Sequence, residues 1–298
     1  MNVLVTGGSG FIGRNIVKKL KEQGHYVVTL DLKDQTSNSD TYIIGDVRNL
    51  KLMNKIIKNM DFVFHLAAVT SPPEFEDLTS EGYEINVMGT YNVLAASAVN
   101  HVRRVILASS SSVYGNMIKI ARESDVKDKF ENFYPLSKRI NELTGSVFLN
   151  YGLEIVSLRY FNTYGIGENT KGKYASVIWK FIDDIRNDRV PIIYGDGSQS
   201  RDFIYVEDAA RASILAMEHG KNGETYNIGT GTSTDFNTIF QIIKEEMNYK
   251  KEAVYITNPL KHYQRFTQAD LTKSKKDLGF YPEYDIRKGV QKIIEALD

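Results

Sequence analysis

Val3-Leu4-Val5-Thr6-Gly7-Gly8-Ser9-Gly10-Phe11-Ile12-Gly13 passes from a short apolar, β-branched run through a glycine-rich turn into a helical pattern. In that pattern Ile16, Val17 and Leu20 share one face. Gly8-x-Gly10-x-x-Gly13 and Gly7-x-x-Gly10-x-x-Gly13 both fit glycine spacings of a strand-to-helix turn that holds a dinucleotide. Missing side chains let the backbone turn tightly and approach a pyrophosphate. The helix start, at Phe11, Ile12 and Gly13, then aims free N–H groups and a positive dipole end at the phosphates.

The residues that follow fit the same purpose. Asp31 closes the apolar run from Tyr26, 18 residues after Gly13. An acidic side chain there accepts from ribose hydroxyls and repels a 2′-phosphate, which favours NAD over NADP. Asp46-Val47 follows the third apolar run, where a carboxylate can meet the adenine amino group. His65-Leu66-Ala67-Ala68 ends the fourth with the small residues needed where a cofactor lies against a sheet. His65 itself reads as a packed strand-end residue.

Farther out, short apolar runs alternate with helical patterns: 42–44, 50–58, 62–66, 84–99, 104–108, a helix after Tyr134, and 154–158. This alternation predicts right-handed βαβ units, a doubly wound parallel sheet of the Rossmann type, within an α/β fold. The reading places a dinucleotide-binding domain over residues 1–165, rejoined by segments near 191–230. A smaller C-terminal substrate-binding lobe takes most of 166–298. Neither a Pro/Gly/Ser linker nor a repeat separates them, which predicts a wide shared interface.

Composition narrows the partners. Lys plus Arg and Asp plus Glu are both 37, so a near-zero net charge gives no support to a nucleic-acid or anionic-membrane partner. No cysteine is present, which excludes disulfides, thiol nucleophiles and Cys-based metal sites and suits a reducing cytoplasm. No run approaches the roughly 20 apolar residues that span a bilayer.

Tyr134-Pro135-Leu136-Ser137-Lys138 carries Tyr-x-x-x-Lys, which puts both side chains on one helix face. An ammonium there is expected to lower the phenol pKa toward working pH. The motif follows the serine run Ser109-Ser110-Ser111-Ser112, at a strand's carboxyl end where ligands bind in such sheets.

With glycines, acid, serines and Tyr/Lys in this order, the chain resembles the extended short-chain dehydrogenase/reductases, and within them the nucleotide-sugar epimerases and dehydratases. Leu158-Arg159-Tyr160-Phe161-Asn162, Gly195-Asp196-Gly197 through Arg201-Asp202-Phe203, and Tyr226-Asn227-Ile228-Gly229 extend the resemblance over essentially the whole chain. The resemblance implies Tyr134 as acid/base, Lys138 as its modulator and a ribose ligand, and Ser110 as the assisting hydroxyl. It implies Tyr160 beside the cofactor, Asn86 bracing a loop near the nicotinamide, Ser111 against the substrate, and Asn162 and Arg201 on the sugar-nucleotide diphosphate. Tyr174 and Tyr194 are candidates for the base or sugar. A homodimer through two helices, about 84–100 and 134–150, is likewise implied.

Dehydratases of this kind carry an Asp-Glu pair directly after the assisting hydroxyl. Ser111 and Ser112 stand there, and neither protonates a leaving hydroxyl at neutral pH. The expected activity is therefore that of a UDP-glucose 4-epimerase-like enzyme acting on a UDP-hexose through a 4-keto intermediate. Lys171 to Val177 and Tyr263 to Thr272 resemble segments of the ADP-glycero-manno-heptose 6-epimerases. There the lysine matching Lys171 is a second acid/base. The Arg-Pro-Gly phosphate contact of the 4-epimerases is replaced by Leu260-Lys261-His262, so Lys261 or Arg265 is expected to supply that charge. A nucleotide-sugar reductase is the rival enzyme class, and a non-catalytic dinucleotide-binding regulator the rival outside catalysis.

Overall fold

A computed structural model describes residues 1–33, 38–116, 118–126, 129–259 and 264–298. In chain order the first part contains β1 (Asn2–Thr6), α1 (Phe11–Glu22), β2 (Tyr26–Asp31), β3 (Thr41–Ile44), α2 (Leu50–Ile56) and β4 (Phe62–His65). Then come α3 (Pro72–Asp77), α4 (Thr79–Tyr83), a π-helical stretch (Glu84–Gly89), α5 (Thr90–Val99), β5 (Arg104–Ser110), α6 (Phe133–Phe148) and β6 (Glu154–Tyr160). The remainder holds β7 (Asn162–Tyr164), α7 (Val177–Arg186), β8 (Ile192–Tyr194), β9 (Ser200–Tyr205), α8 (Val206–His219) and β10 (Thr225–Ile228). It ends with β11 (Ser233–Asp235), α9 (Phe236–Glu246), β12 (Val254–Ile256) and α10 (Ile286–Leu297).

Among the described residues, seven parallel strands form the main sheet in the order β10-β6-β5-β4-β1-β2-β3. This is the doubly wound order, and the strand direction of travel reverses between β1 and β4. Alternation along each strand fills both faces. Val3 and Val5 of β1 pack with Ile16, Val17 and Leu20 of α1 and with the alanines of α8. Leu4 points the other way, into a core with Met53 of α2 and Val93 and Leu94 of α5.

The segment near 191–230 divides. Thr225–Ile228 pairs with β6 and extends the main sheet, and α8 packs beside α1. β8 pairs instead with β12, and β9 lies between β7 and β11. A third core, built from α7, α9, α10 and the β9 side chains Phe203 and Tyr205, fills the C-terminal lobe. Asp208 anchors α10's approach: its buried carboxylate accepts the Glu283 and Tyr284 amides at 2.8 and 3.0 Å. No helix among the described residues is long and apolar enough to cross a membrane.

Candidate active site

The carboxyl ends of β1, β4, β5 and β6 open into a cleft of about 700 Å³. At one end lies the glycine turn. Gly7 has φ +69°, and a Cβ on it would stand 2.7 Å from the Ala67 amide nitrogen. A Cβ on Gly13 would stand 2.1 Å from the Gly7 carbonyl oxygen. Helix α1 starts at Gly10 with no side-chain cap and no acidic residue in its first turn. By contrast α2, α7, α9 and α10 are each capped by an Asn, Ser or Asp side chain. The unclaimed amides of α1 therefore face the cleft with their partial positive charge uncompensated. Asp31 lines the same end, accepting the Ser9 amide at 3.1 Å and the Leu32 amide at 2.8 Å. An anionic diphosphate with an attached ribose fits this donor and acceptor set.

The other end is built by β5 and α6. The side chain of Asn132 accepts the Tyr134 amide at 3.2 Å and starts α6, so Tyr134 and Lys138 follow on one face of the helix. Both are buried and both line the cleft. Burial pushes the Tyr134 phenol up to about 12, the Ser110 hydroxyl bonded to it works the other way, and the charge of Glu74 adds to the rise. Lys138 donates to the Ala108 carbonyl at 3.2 Å, and desolvation pulls its ammonium down to about 8. The expectation that Lys138 lowers the Tyr134 pKa is thus corrected for the chain itself. The lowering comes from Ser110, and burial outweighs it.

Behind this pair stands a buried polar frame. Ser109 donates to Glu142 at 2.6 Å, and Arg159 binds both oxygens of Glu142 at 2.8 and 2.9 Å. Arg159 also donates to Tyr114, whose hydroxyl donates to Asn227. Asn86 is fully buried; it bonds both the amide and the carbonyl of Val69 and donates to Ser137 at 3.0 Å. It thereby braces the 69–71 loop against α6. His65 is buried between Thr6 and Thr90, and desolvation, with a smaller push from Lys138, holds it down at about 3. It is a packed neutral imidazole.

Of the residues singled out in the sequence, Gly7, Gly10, Phe11, Ile12, Gly13, Asp31, Leu66, Ser110, Ser111, Tyr134, Lys138, Tyr160, Asn162, Lys171 and Tyr174 line the cleft. Others do not. Asp46 spends its carboxylate on Arg48 Nε and Nη2, at 2.9 and 2.6 Å, and Val47 is buried. Ala67 stands against Gly7 of the glycine turn, neither it nor Ala68 lines the cleft, and Val177 begins α7. Tyr194 stands on the small β8 strand outside the cleft. Arg201 is buried, but its guanidinium turns to the Ser200 and Gln264 carbonyls and lies over the Phe236 ring at 5.8 Å. It is not among the residues that line the cleft. Arg265 is exposed outside the cleft, and Lys261 falls outside the described residues.

Several lining residues carried no sequence signal of their own. Glu168 is fully buried and accepts Lys171 at 3.1 Å and Ser176 twice, at 2.8 Å each. The Lys171 ammonium also lies 4.4 Å over the Phe11 ring. Gln264 lines the cleft as well, as does Ser112 of the serine run already noted in the sequence, whose Oγ is buried without a partner among the described residues. Glu74 follows Ser71-Pro72-Pro73, a helix-start pattern that could have marked its place.

This geometry agrees with likeness to known proteins. The profile of the NAD dependent epimerase/dehydratase family matches residues 3–229. A Methanocaldococcus jannaschii protein assigned provisionally as a UDP-glucose 4-epimerase is 36% identical, over 98% of this chain and 97% of its own. The ADP-L-glycero-D-manno-heptose-6-epimerase of Brachyspira hyodysenteriae is 32% identical, over 99% and 98%. The crystal structure of Thermotoga maritima UDP-glucose 4-epimerase with UDP-glucose superimposes with a TM-score of 0.94 at 31% identity, covering 100% of this chain and 98% of that one. The chain belongs to the NAD-dependent nucleotide-sugar epimerase/dehydratase family.

Proposed function

We propose that the protein is a nucleotide-sugar 4-epimerase acting on a UDP-hexose, with UDP-glucose and UDP-galactose as its pair. The observation that carries this reading is the buried Tyr134–Ser110 pair at the carboxyl end of β5, followed by Ser111 and Ser112 rather than by an acid pair. A site so equipped can move a proton on and off one hydroxyl, and the positions directly after Ser110 hold no acid to expel a neighbouring one.

Bound between the α1 amides, Asp31, Tyr160 and Lys138, NAD supplies acceptance and return of a hydride. The chain does the rest. Tyr134 takes the proton of the C4 hydroxyl as that carbon is oxidised, with Ser110 holding the same oxygen. Asn162 and Ser111, which line the cleft, orient the sugar. The 4-keto sugar turns about its diphosphate link, and Tyr134 returns the proton on the other face. The nucleotide retains the intermediate while it turns. Lys171 serves as a positive wall for the diphosphate. Its ammonium is engaged by Glu168 and Phe11, which leaves Tyr134 as the acid/base group.

The protein also pairs with a second copy in this reading. Met88 and Tyr91, with Leu143 and Val147 of α6, leave an apolar strip exposed along the two helices that the resemblance assigns to a dimer.

Purified protein incubated with UDP-glucose, UDP-N-acetylglucosamine and ADP-heptose, and followed by anomeric proton NMR, tests the assignment. UDP-galactose forming without added NAD supports it. Conversion of the ADP-heptose alone moves the function to the heptose branch and Lys171 to a base.

A further inference from the structure

The geometry points to Glu74 as a specificity-determining residue that bars sugars bearing a carboxylate at C5, so that the cleft accepts a neutral hexose and rejects a hexuronate. The inference rests on Tyr134 marking where the reacting carbon sits.

Three observations carry it. First, Glu74 lines the cleft on the same wall as Thr70, Ser71 and Pro72. Phe75, the next residue, is buried and stands edge-on to the Tyr134 ring, with centroids 6.4 Å apart and planes at 61°. That contact fixes the first turn of α3 against the phenol. Second, Glu74 is held in place. Its Oε2 accepts the amide and the hydroxyl of Thr70 at 2.9 and 3.0 Å, and its own amide donates to Ser71 Oγ. Its Oε1 takes no hydrogen bond among the described residues. Third, no cation pairs with its charge among the described residues. Glu168 carries Lys171, and Asp31 lies at the glycine turn holding two amides. Its field reaches Tyr134, whose ionisation it opposes.

An epimerase must hold its intermediate in two orientations. Turning the ring exchanges the C3 and C5 sides, so each in turn passes the α3 wall. A hydroxymethyl group at C5 can donate to Glu74 Oε1. A carboxylate at C5 meets a like charge in one of the two orientations, inside a cleft where water screens poorly. One disfavoured orientation is enough to stop inversion, and it weakens binding where it is the orientation in which the sugar enters. Discrimination by repulsion of this kind leaves the wanted substrate unaffected.

The test compares UDP-glucose with UDP-glucuronate on wild type, Glu74→Gln and Glu74→Asp. The expected wild-type preference in kcat/KM is on the order of a hundredfold. Glu74→Gln collapses that ratio toward unity, and Glu74→Asp, which keeps the charge, retains most of it. Titration calorimetry of the same two nucleotide sugars is run in parallel on a Tyr134→Phe background, and expects the dissociation-constant ratio to move in the same direction. An unchanged ratio in Glu74→Gln, or a wild type that turns over both sugars equally, overturns the inference while leaving the epimerase reading intact. A calorimetric ratio that collapses in an enzyme inactive on both sugars keeps the inference and removes the epimerase reading. Failure of both nucleotide sugars to bind, in wild type and in Glu74→Gln alike, overturns both.

Discussion

Arg159 Nε donates to Glu142 Oε1 at 2.8 Å with each side chain only 3% exposed, and Ser109 donates to the same oxygen. The pair ties the end of β6 to the middle of α6, one helical turn beyond Lys138. It therefore sets how Ser110 and Tyr134 meet. Removing one partner strands a buried charge, which costs about 3–5 kcal/mol. Glu142→Leu is expected to lose that much in urea unfolding. The double variant Glu142→Leu/Arg159→Met is expected to regain more than half of it, because no charge is then left unpaired. A single variant as stable as the wild type contradicts this account of the frame.

The Tyr134 and Lys138 shifts make a pH prediction. Burial holds Tyr134 near 12 and desolvation brings Lys138 to about 8, so at neutral pH the pair carries both protons. Proton abstraction needs the pair to have lost one of them. The first loss falls near the lower value and belongs to the pair as a whole. kcat/KM is expected to rise with pH through a midpoint near 8 and to flatten above it. Lys138→Arg keeps its charge at every accessible pH and is expected to move the midpoint upward by more than a unit. A profile flat from pH 6 to 9 in the wild type contradicts the assignment.

Gly13 tests the cofactor end. A methyl group there would stand 2.1 Å from the Gly7 carbonyl oxygen and 2.8 Å from the Gly8 Cα, so the turn has to open. A shift that costs as little as 1.4 kcal/mol of binding lowers affinity about tenfold. Gly13→Ala is expected to purify with less than about a tenth of the wild-type NAD content, measured after acid release. Full NAD content in this variant would mean the diphosphate lies elsewhere.

The exposed strip on the helix pair makes a prediction about assembly. Leu143→Asp/Val147→Asp places two charges where a second copy is expected to cover apolar side chains. Light scattering is expected to show the mass falling by half relative to wild type. An unchanged mass removes the α6 interface.

The parts of the site that were legible in the sequence are those encoded over a few residues. The Gly7–Gly13 turn needs backbone with no Cβ, and only glycine supplies it. Tyr134 and Lys138 share a helix face through spacing alone. What escaped depends on distant partners. Glu74 and Glu168 reach the cleft only once α3 and the 168–174 turn pack on it. The Glu142–Arg159 pair joins residues 17 apart that nothing local links. Arg201 shows the reverse case. Its motif is plain in the sequence, yet its guanidinium is held by the Ser200 and Gln264 carbonyls rather than turned to the cleft. Its neighbour Asp202, quoted in that motif but given no role of its own, is the structural centre of it. It is fully buried and accepts the Thr230, Gly231 and Ala269 amides at 2.7, 2.9 and 3.0 Å, with burial pushing its carboxyl up. The small sheets of the C-terminal lobe were missed for a related reason. Strands as short as β7, β8, β11 and β12 carry too few residues for a periodic signal.

The central claim is that one carbon is oxidised and re-reduced on the same molecule with Tyr134 moving the proton. UDP-glucose deuterated at C4, incubated with the purified protein without added cofactor, measures this directly. The account predicts UDP-galactose that keeps its deuterium at C4, with no net change in absorbance at 340 nm. It also predicts that Tyr134→Phe forms none at a comparable rate. UDP-galactose that has lost the label, or a stoichiometric demand for reduced cofactor, would contradict it.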